Sequence, residues 1–186
     1  MRRKFFIERG TLINRPATIT DGQAYAIARQ LNHTDSQIWR LACETGARIS
    51  DLLALTRREI RQQPLIIYES KSKRARSVPL SDELHGELLR WHQTDSDTYA
   101  YTSVRDVRKR YIRSTYYRRL QKAAKTLNIR VSAHSARKLY ARRIYDRTKD
   151  ICAVQDALHH KYITTTATYL DIDLGELLRT YTPPQR

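Results

Sequence analysis

The sequence predicts a mainly α-helical fold with one small antiparallel β-sheet, an α+β class. Capping residues recur along the chain ahead of segments whose apolar residues follow helical spacing. Only one pair of short stretches, PLIIYES and ARSVPL, has the apolar and β-branched character of strands. With 186 residues and no low-complexity linker, the chain predicts one compact domain that can bury a core without disulfides.

Three helices are predicted in the first part of the chain. Thr20 and Gln23 form a capping-box pattern at the start of the first. The second is predicted to begin at an Asp35 cap and to end at Gly46, and the third begins near Ser50. These helices bring the chain to the predicted strands, which the polar KSKR joins into a β-hairpin.

Further helices are predicted after the hairpin. Ser81 caps SDELHGELLRWH, and a helix starting near Thr115 contains YYRRLQKAAKTL. Apolar spacing then predicts helices in AHSARKLYARRIY and in DICAVQDAL. A short helix is considered for the threonine-rich end of LHHKYITTTATYL.

The charge of the chain predicts a polyanionic partner. The formal net charge is +16, and residues 105–147 hold fifteen basic residues against Asp106 and Asp146 alone. Such a stretch can also be a solvated helix face or a disordered tail. Tyrosine, leucine and isoleucine interleave with the cations, which favours amphipathic helices with a positive side that binds the phosphates of double-stranded DNA.

Other function classes find no support in the residue pattern. Cys43 and Cys152 are isolated from each other and from histidines, so we expect neither a disulfide nor a zinc site. No apolar run is long enough for a signal peptide or a membrane span. We therefore expect a cytoplasmic protein associated with the nucleoid, without metal or cofactor.

Four stretches carry the chemistry: TGARISDLLAL, ESKSKRARSVPL, AHSARKLYA and LHHKYITTTATYL. Each is common by chance, but in this order and spacing they resemble the catalytic domain of tyrosine site-specific recombinases, the phage-integrase family. The resemblance runs from Arg48 to Tyr169 and implies that family's catalytic-domain fold. It implies six catalytic residues: Arg48, Lys71, His134, Arg137, His160 and Tyr169.

The resemblance implies strand cleavage through a 3′-phosphotyrosyl intermediate, without metal or ATP. Arg48 and Arg137 would neutralise the five-coordinate phosphorus with fixed donors. A phenol has a pKa near ~10 and needs a proton acceptor as it attacks. His134 is the better candidate acceptor for Tyr169, which stands nine residues after His160 where the family places its nucleophile.

The remaining roles concern protons and phosphate contacts. Lys71 on the hairpin is the candidate general acid for the 5′ oxygen, with Lys73 as a rival, and His160 would hydrogen-bond a phosphate oxygen. Asp51 matches the family's acidic position, where it either orients active-site cations or interacts with a helix dipole. Predicted DNA contacts are Lys73, Arg74, Arg76, Lys138 and Lys161.

One position, His159, and the domain organisation depart from the family pattern. His159 stands where the family usually has glycine, so either the turn is less strained, the two histidines compete for one role, or His159 faces solvent. The division predicted is an extension at 1–19, a catalytic domain at 20–172 and a tail helix at 173–186. The tail either docks on its own domain or is exchanged between protomers. This organisation resembles the catalytic half alone, as in small fimbrial-type invertases.

Three functions remain open on the sequence alone. The first is a recombinase for integration, excision, inversion or resolution, acting as a dimer or tetramer on DNA. The second is a DNA-binding or regulatory protein that keeps the fold but no longer cuts. The third is a type IB topoisomerase-like enzyme, which shares the site chemistry. The intact set of six residues favours an enzyme, and the sequence does not identify accessory proteins.

Overall fold

A computed structural model describes residues 18–173 and Gly175. Its elements confirm the mainly helical class with one antiparallel hairpin. The predicted extension and tail helix lie outside the described residues, apart from residues 18, 19, 173 and 175. In chain order the elements are α1 (Asp21–Gln30), α2 (His33–Thr45), α3 (Ile49–Leu52), α4 (Arg57–Ile60), β1 (Leu65–Glu69), β2 (Arg74–Val78), α5 (Asp82–Trp91), α6 (Arg113–Thr126), α7 (Ser135–Thr148), α8 (Ile151–Leu158) and α9 (Ile163–Leu170).

Helix starts follow the predicted caps with one exception. The capping box of Thr20 and Gln23 opens α1, and the Ser81 hydroxyl accepts from the backbone at the start of α5. The Asp35 cap is wrong, because the Asn32 side chain accepts the Asp35 backbone N–H at 3.0 Å and α2 begins earlier. Asp35 therefore lies inside the helix, fully buried.

Helix α2 ends at a glycine, whereas three later helices end at non-glycine residues in the left-handed conformation. Gly46 ends α2 with φ +63°, and a Cβ there would lie 2.3 Å from the Tyr140 ring, so only glycine fits. The helices α7, α8 and α9 end instead on Lys149, His159 and Asp171, all left-handed. A side chain in that conformation costs about 1–2 kcal/mol. Glycine signals therefore predict only the first of these ends.

The hairpin carries a charged residue on its buried face. Its strands pair in a register that places Ile67 opposite Arg76 and Glu69 opposite Arg74. Side chains alternate across a strand, so Leu65, Ile67 and Glu69 share one face, and all three are buried. The last residue of β1 thus brings a carboxylate to the edge of the core.

The core consists of two hydrophobic clusters joined by α7. The larger contains residues from 19 to 139, including Trp39 and Tyr116. The smaller is built from the second half of α7 with α8 and α9, and Val154 and Ala167 are fully buried in it. Tyr169 packs against the smaller cluster, so its position depends on α8 and α9.

Candidate active site

Three of the six predicted catalytic residues line one cleft, and the other three contact one another beside it. Arg48, Lys71 and His160 line an open cleft of about 850 Å³ between the hairpin and the α8–α9 turn. Tyr169 and Arg137 reach the same region from α9 and α7. The six residues come from the start of α3, the hairpin turn, the start of α7, the α8–α9 turn and the end of α9.

Arg137 is fixed by main-chain carbonyls. Its two terminal nitrogens donate to the oxygens of Gly46 and Leu158, each at 2.6 Å. Burial, followed by the charge of Arg48, lowers its pKa to about 10, so the guanidinium remains charged at neutral pH. Because both anchors are backbone atoms at helix ends, the orientation of Arg137 depends on how α2 and α8 terminate.

Arg48 is held mainly by opposite charge. Its Nη1 lies 3.8 Å from the Asp51 carboxylate and 3.4 Å from that of Glu69. These separations are ion pairs rather than hydrogen bonds. A quarter of the Arg48 side chain is exposed, which makes it the more accessible arginine of the pair. Asp51 thus lies beside a cation, and its role in orienting that cation stays a prediction.

Glu69 was not predicted as a site residue, yet it lies at the centre of the charges. Its carboxylate is 3.4 Å from Arg48, 3.7 Å from Arg76 and 3.9 Å from Arg137. Burial alone raises its pKa, but the Ser72 hydroxyl and the three guanidiniums outweigh burial and hold that pKa below its ordinary value. The signal in the sequence was a glutamate on the apolar face of a predicted strand.

The turn that carries Lys71 is tied to both buried carboxylates. The Ser70 hydroxyl donates to Asp51 at 2.7 Å, and the Ser72 hydroxyl donates to Glu69 at 2.8 Å. The Lys73 backbone N–H also donates to the Glu69 carbonyl at 2.9 Å. Lys71 therefore stands on a closed turn, with its side chain exposed at the cleft.

Tyr169 is paired with a neutral base. Its hydroxyl lies 2.9 Å from Nδ1 of His134, a hydrogen-bond distance. Burial first, and then Arg137, Arg48 and Lys138, lower the pKa of His134, so the imidazole is uncharged at neutral pH. Burial raises the pKa of Tyr169 and is only partly offset by the two arginines. The phenol is thus protonated, with an acceptor in contact.

His160 also packs against the phenol ring of Tyr169. The two ring centroids are 5.0 Å apart in an edge arrangement. Burial, then Arg137 and Arg48, lower the pKa of His160 to about 4, so this ring is also neutral. Its Nδ1 is 3.0 Å from the Thr166 hydroxyl, so its other ring nitrogen, Nε2, is not used in this contact.

This constellation agrees with a comparison against protein families. The model of the phage integrase family matches residues 19–175. The chain belongs to the phage integrase family. The match includes all six residues of the site, from Arg48 to Tyr169.

Named relatives in this family are recombinases, or probable ones. The chain is 30% identical over 145 residues to the probable integrase/recombinase YoeC of Bacillus subtilis, covering 76% of this chain and 80% of that protein. It is 26% identical to the tyrosine recombinase XerA of Pyrococcus horikoshii, covering 87% of this chain and 59% of that protein. The chain spans half the length of the tyrosine recombinase XerC of Neisseria meningitidis.

Solved structures of integrases and recombinases share this fold. A XerA recombinase superposes with a TM-score of 0.70 at 23% identity, covering 92% of this chain and 66% of that one. The catalytic domain of bacteriophage HP1 integrase gives 0.60 at 21% identity, covering 92% of this chain and all of that one. At these identities the likeness shows the fold of this integrase-family chain.

His159, the departure from the family glycine, has its side chain turned inward. The backbone is left-handed, with φ +50°, which is the conformation that favours glycine. Its Nδ1 is 3.5 Å from the Glu69 carboxylate, and only 20% of the side chain is exposed. The expectation of a solvent-facing residue is therefore wrong. The turn keeps its left-handed geometry despite the side chain.

The five predicted DNA contacts divide by exposure. Lys73, Arg74 and Lys161 are exposed around the cleft. Arg76 is only 7% exposed and donates to the Ala157 carbonyl at 3.0 Å, and Lys138 is 8% exposed and lies 3.6 Å from Asp171. Protein groups already surround both of these cations, so of the five predicted contacts the other three are the exposed ones.

Residues 18–173 and Gly175 hold no candidate metal centre and no candidate membrane span. Within that part of the chain, no group of three or more histidine, cysteine, aspartate or glutamate side chains could hold a metal ion. No helix there is long and apolar enough to cross a membrane.

Proposed function

We propose that this integrase-family chain is a site-specific DNA recombinase that cleaves and rejoins strands through a 3′-phosphotyrosyl intermediate on Tyr169. The observation that carries the proposal is the Tyr169 hydroxyl at 2.9 Å from Nδ1 of His134, beside two arginines. As Tyr169 attacks the phosphorus, its proton passes to His134. Both groups are neutral beforehand, which is the state that this transfer requires.

Charge on the phosphate oxygens is neutralised by Arg48 and Arg137. Two guanidiniums present fixed donors to the oxygens of the five-coordinate phosphorus, so this part of the reaction needs no metal. Backbone anchoring of Arg137 at 2.6 Å keeps one of them oriented before DNA arrives. His160 adds a hydrogen bond from Nε2 to a phosphate oxygen.

The leaving oxygen receives its proton from Lys71. Breaking the bond from phosphorus to the 5′ oxygen would otherwise release an alkoxide, and an ammonium group in reach prevents this. In the rejoining step a 5′ hydroxyl attacks the phosphotyrosine, Lys71 takes its proton and Tyr169 regains one from His134. The bond energy is conserved in the covalent intermediate, so the cycle needs no ATP.

Binding of duplex DNA is proposed to involve the exposed cations Lys73, Arg74 and Lys161. The net charge of +16 supplies the long-range attraction to phosphate. Recombination joins two sites, so we propose that a dimer or tetramer assembles on DNA. Lambda integrase, a structural neighbour at 20% identity, is a tetramer bound to a Holliday junction. A DNA substrate would place the protein at the nucleoid.

A nicked suicide substrate from the protein's own genomic neighbourhood tests the function. Wild-type protein should form a covalent adduct, and Tyr169→Phe should form none while binding duplex nearly as well, because one hydroxyl is lost and no cation. Tyr162→Phe is the matched control, since Tyr162 is 59% exposed and is the nearest rival nucleophile. Adduct in Tyr169→Phe would move the nucleophile, and DNA binding without adduct in wild type would favour a non-cutting protein.

A further inference from the structure

The turn that presents Lys71 and the pair of arginines share a single buried carboxylate. Glu69 closes the turn from one side through the Ser72 hydroxyl at 2.8 Å and its own carbonyl to the Lys73 N–H at 2.9 Å. On the other side it lies 3.4 Å from Arg48 and 3.9 Å from Arg137. The general acid and the phosphate-binding cations are therefore linked through one residue.

Glu69 also reaches the α8–α9 turn. His159 Nδ1 lies 3.5 Å from the same carboxylate, and the next residue is His160. The His159 backbone keeps a left-handed conformation that glycine would adopt without strain. With Arg76 of β2 at 3.7 Å, the carboxylate touches cationic or imidazole groups from four separate segments.

Electrostatics explains why one buried acid can organise this region. Three guanidiniums so close together repel one another, and burial strengthens the repulsion. A fully buried carboxylate between them offsets it and fixes each cation at one distance. An amide of the same shape would leave three buried positive charges facing each other, and Arg48, the most exposed of them, would be displaced first.

We propose that Glu69 is a positioning residue for strand cleavage, holding Arg48 and Arg137 while setting the turn that carries Lys71. Through it, phosphate neutralisation and leaving-group protonation depend on one side chain that does not itself touch DNA. This inference rests on the cleavage function proposed above. In this proposal Ser72 connects Glu69 to the turn that carries Lys71 and has no role at the arginines.

The test compares two leaving groups. Adduct formation is measured in single turnover with an ordinary nicked substrate and with one whose scissile 5′ oxygen is replaced by sulfur, which leaves as a thiolate without protonation. Glu69→Gln should slow cleavage of the ordinary substrate about 100-fold, as expected for misplaced catalytic groups. It should recover about tenfold on the sulfur substrate, because the Lys71 part of the defect disappears.

Ser72→Ala tests the link from Glu69 to the Lys71 turn apart from its link to the arginines. It removes only one half-buried hydroxyl, so the fold should be kept. It should slow the ordinary substrate and cleave the sulfur substrate at the wild-type rate. Equal slowing of either variant on both substrates, or wild-type rates on the ordinary one, overturns the proposal. Duplex affinity close to wild type in both variants is expected, since no exposed cation is changed.

Asp35→Asn is the matched control for loss of a buried acid. Asp35 is fully buried and lies 3.3 Å from Arg119, away from the cleft. It should lower thermal stability but not the cleavage rate of folded protein. If it slowed cleavage as much as Glu69→Gln, the effect would belong to stability, and the positioning role would be overturned.

A readout without cleavage distinguishes this inference from the proposed function. The Nε–H NMR signals of Arg48 and Arg137 in the free protein should shift in Glu69→Gln and stay in place in Asp35→Asn. Unchanged signals overturn the positioning role even if wild type forms no adduct. Shifted signals support it in the same circumstance, while the missing adduct counts against the cleavage function alone.

Discussion

Arg137 and Tyr169 meet in one site but are supported by different parts of the protein. Arg137 is tied to the Gly46 carbonyl and the Glu69 carboxylate on elements of the larger hydrophobic cluster, and to the Leu158 carbonyl in the smaller one. Tyr169 stands at the end of a helix of eight residues, on the smaller cluster, with its hydroxyl in contact with His134. Arg137 is thus held by more contacts than Tyr169.

This difference predicts that substitutions in the two hydrophobic clusters have different effects on the site. A short helix gains its stability from the surface on which it packs, so α9 depends on α7 and α8. Substitutions in the smaller cluster should therefore move the nucleophile more than Arg137, which keeps its anchors at Gly46 and Glu69. Substitutions at the arginines should affect chemistry directly, whatever the state of α9.

The largest effect is expected at Arg137. Arg137→Ala should slow adduct formation by about 100-fold or more, as for loss of one preorganised transition-state donor. It also leaves the Gly46 and Leu158 carbonyls without this donor, so a lower melting temperature should accompany the loss. Single-turnover cleavage and thermal melts measure the two effects.

Arg143→Ala provides the control on the same helix. Arg143 also donates to a backbone carbonyl, that of Cys43 at 2.9 Å, and pairs with Asp21. It should lower stability without a comparable loss of cleavage rate. A wild-type cleavage rate in Arg137→Ala would contradict the assignment of this guanidinium to the phosphate.

Packing in the two clusters should have separable consequences. Ile151 is buried in the smaller cluster and Ile38 in the larger. Truncation of either to alanine should cost about 2–5 kcal/mol of stability. Hydrogen exchange should show Ile151→Ala opening the amides of α9 selectively, with slower adduct formation. Ile38→Ala should destabilise the protein without that selectivity, and the reverse pattern would refute two-part support.

Local sequence rules predict much of this molecule, and their failures have physical causes. The capping box at Thr20, the Gly46 helix end and the hairpin depend on neighbouring residues, and all are confirmed. The Asp35 cap failed because Asn32, three residues earlier, accepts the Asp35 N–H and starts the helix before Asp35. Strand alternation would have placed Glu69 on the buried face, but alternation alone does not name its partners.

Partners distant along the chain could not be predicted from local pattern. Arg76 was read as a DNA contact, yet its partner is the Ala157 carbonyl, 81 residues away. His159 pairs with a glutamate on another element and ends α8 in a left-handed conformation that its sequence does not signal. Burial of cations is decided by packing between elements, which a basic stretch does not reveal.

Low pH should destabilise the protein because the fold keeps two histidines, His92 and His160, uncharged. Burial, followed by nearby cations, lowers the pKa of His92 and of His160 from 6.5 to about 4. Between those pH values the unfolded chain binds more protons than the folded one, so stability falls as pH drops from 6.5 toward 4. For buried His92 the loss is up to about 3 kcal/mol.

Urea unfolding at a series of pH values measures this dependence. His92→Gln should reduce the dependence of the unfolding free energy on pH below 6.5, without changing hydrogen exchange in α9. His160→Gln should reduce the pH dependence of hydrogen exchange in α9. Identical curves for wild type and both variants would mean that neither histidine is kept neutral by the fold.

The smallest effects concern single cations at the DNA surface, where exposure divides the basic residues. If about 6–10 phosphates are contacted, affinity should fall by orders of magnitude between about 50 and 200 mM salt. Lys161→Ala should weaken binding modestly and lower the slope of log affinity against log salt by about 1. Lys138→Ala should leave that slope unchanged, because the Lys138 ammonium lies 3.6 Å from Asp171 and its side chain is only 10% exposed. The two lysines have equal charge, so the pair of salt titrations isolates exposure. Equal slopes in both variants would show that burial in the free protein does not decide which cations reach phosphate.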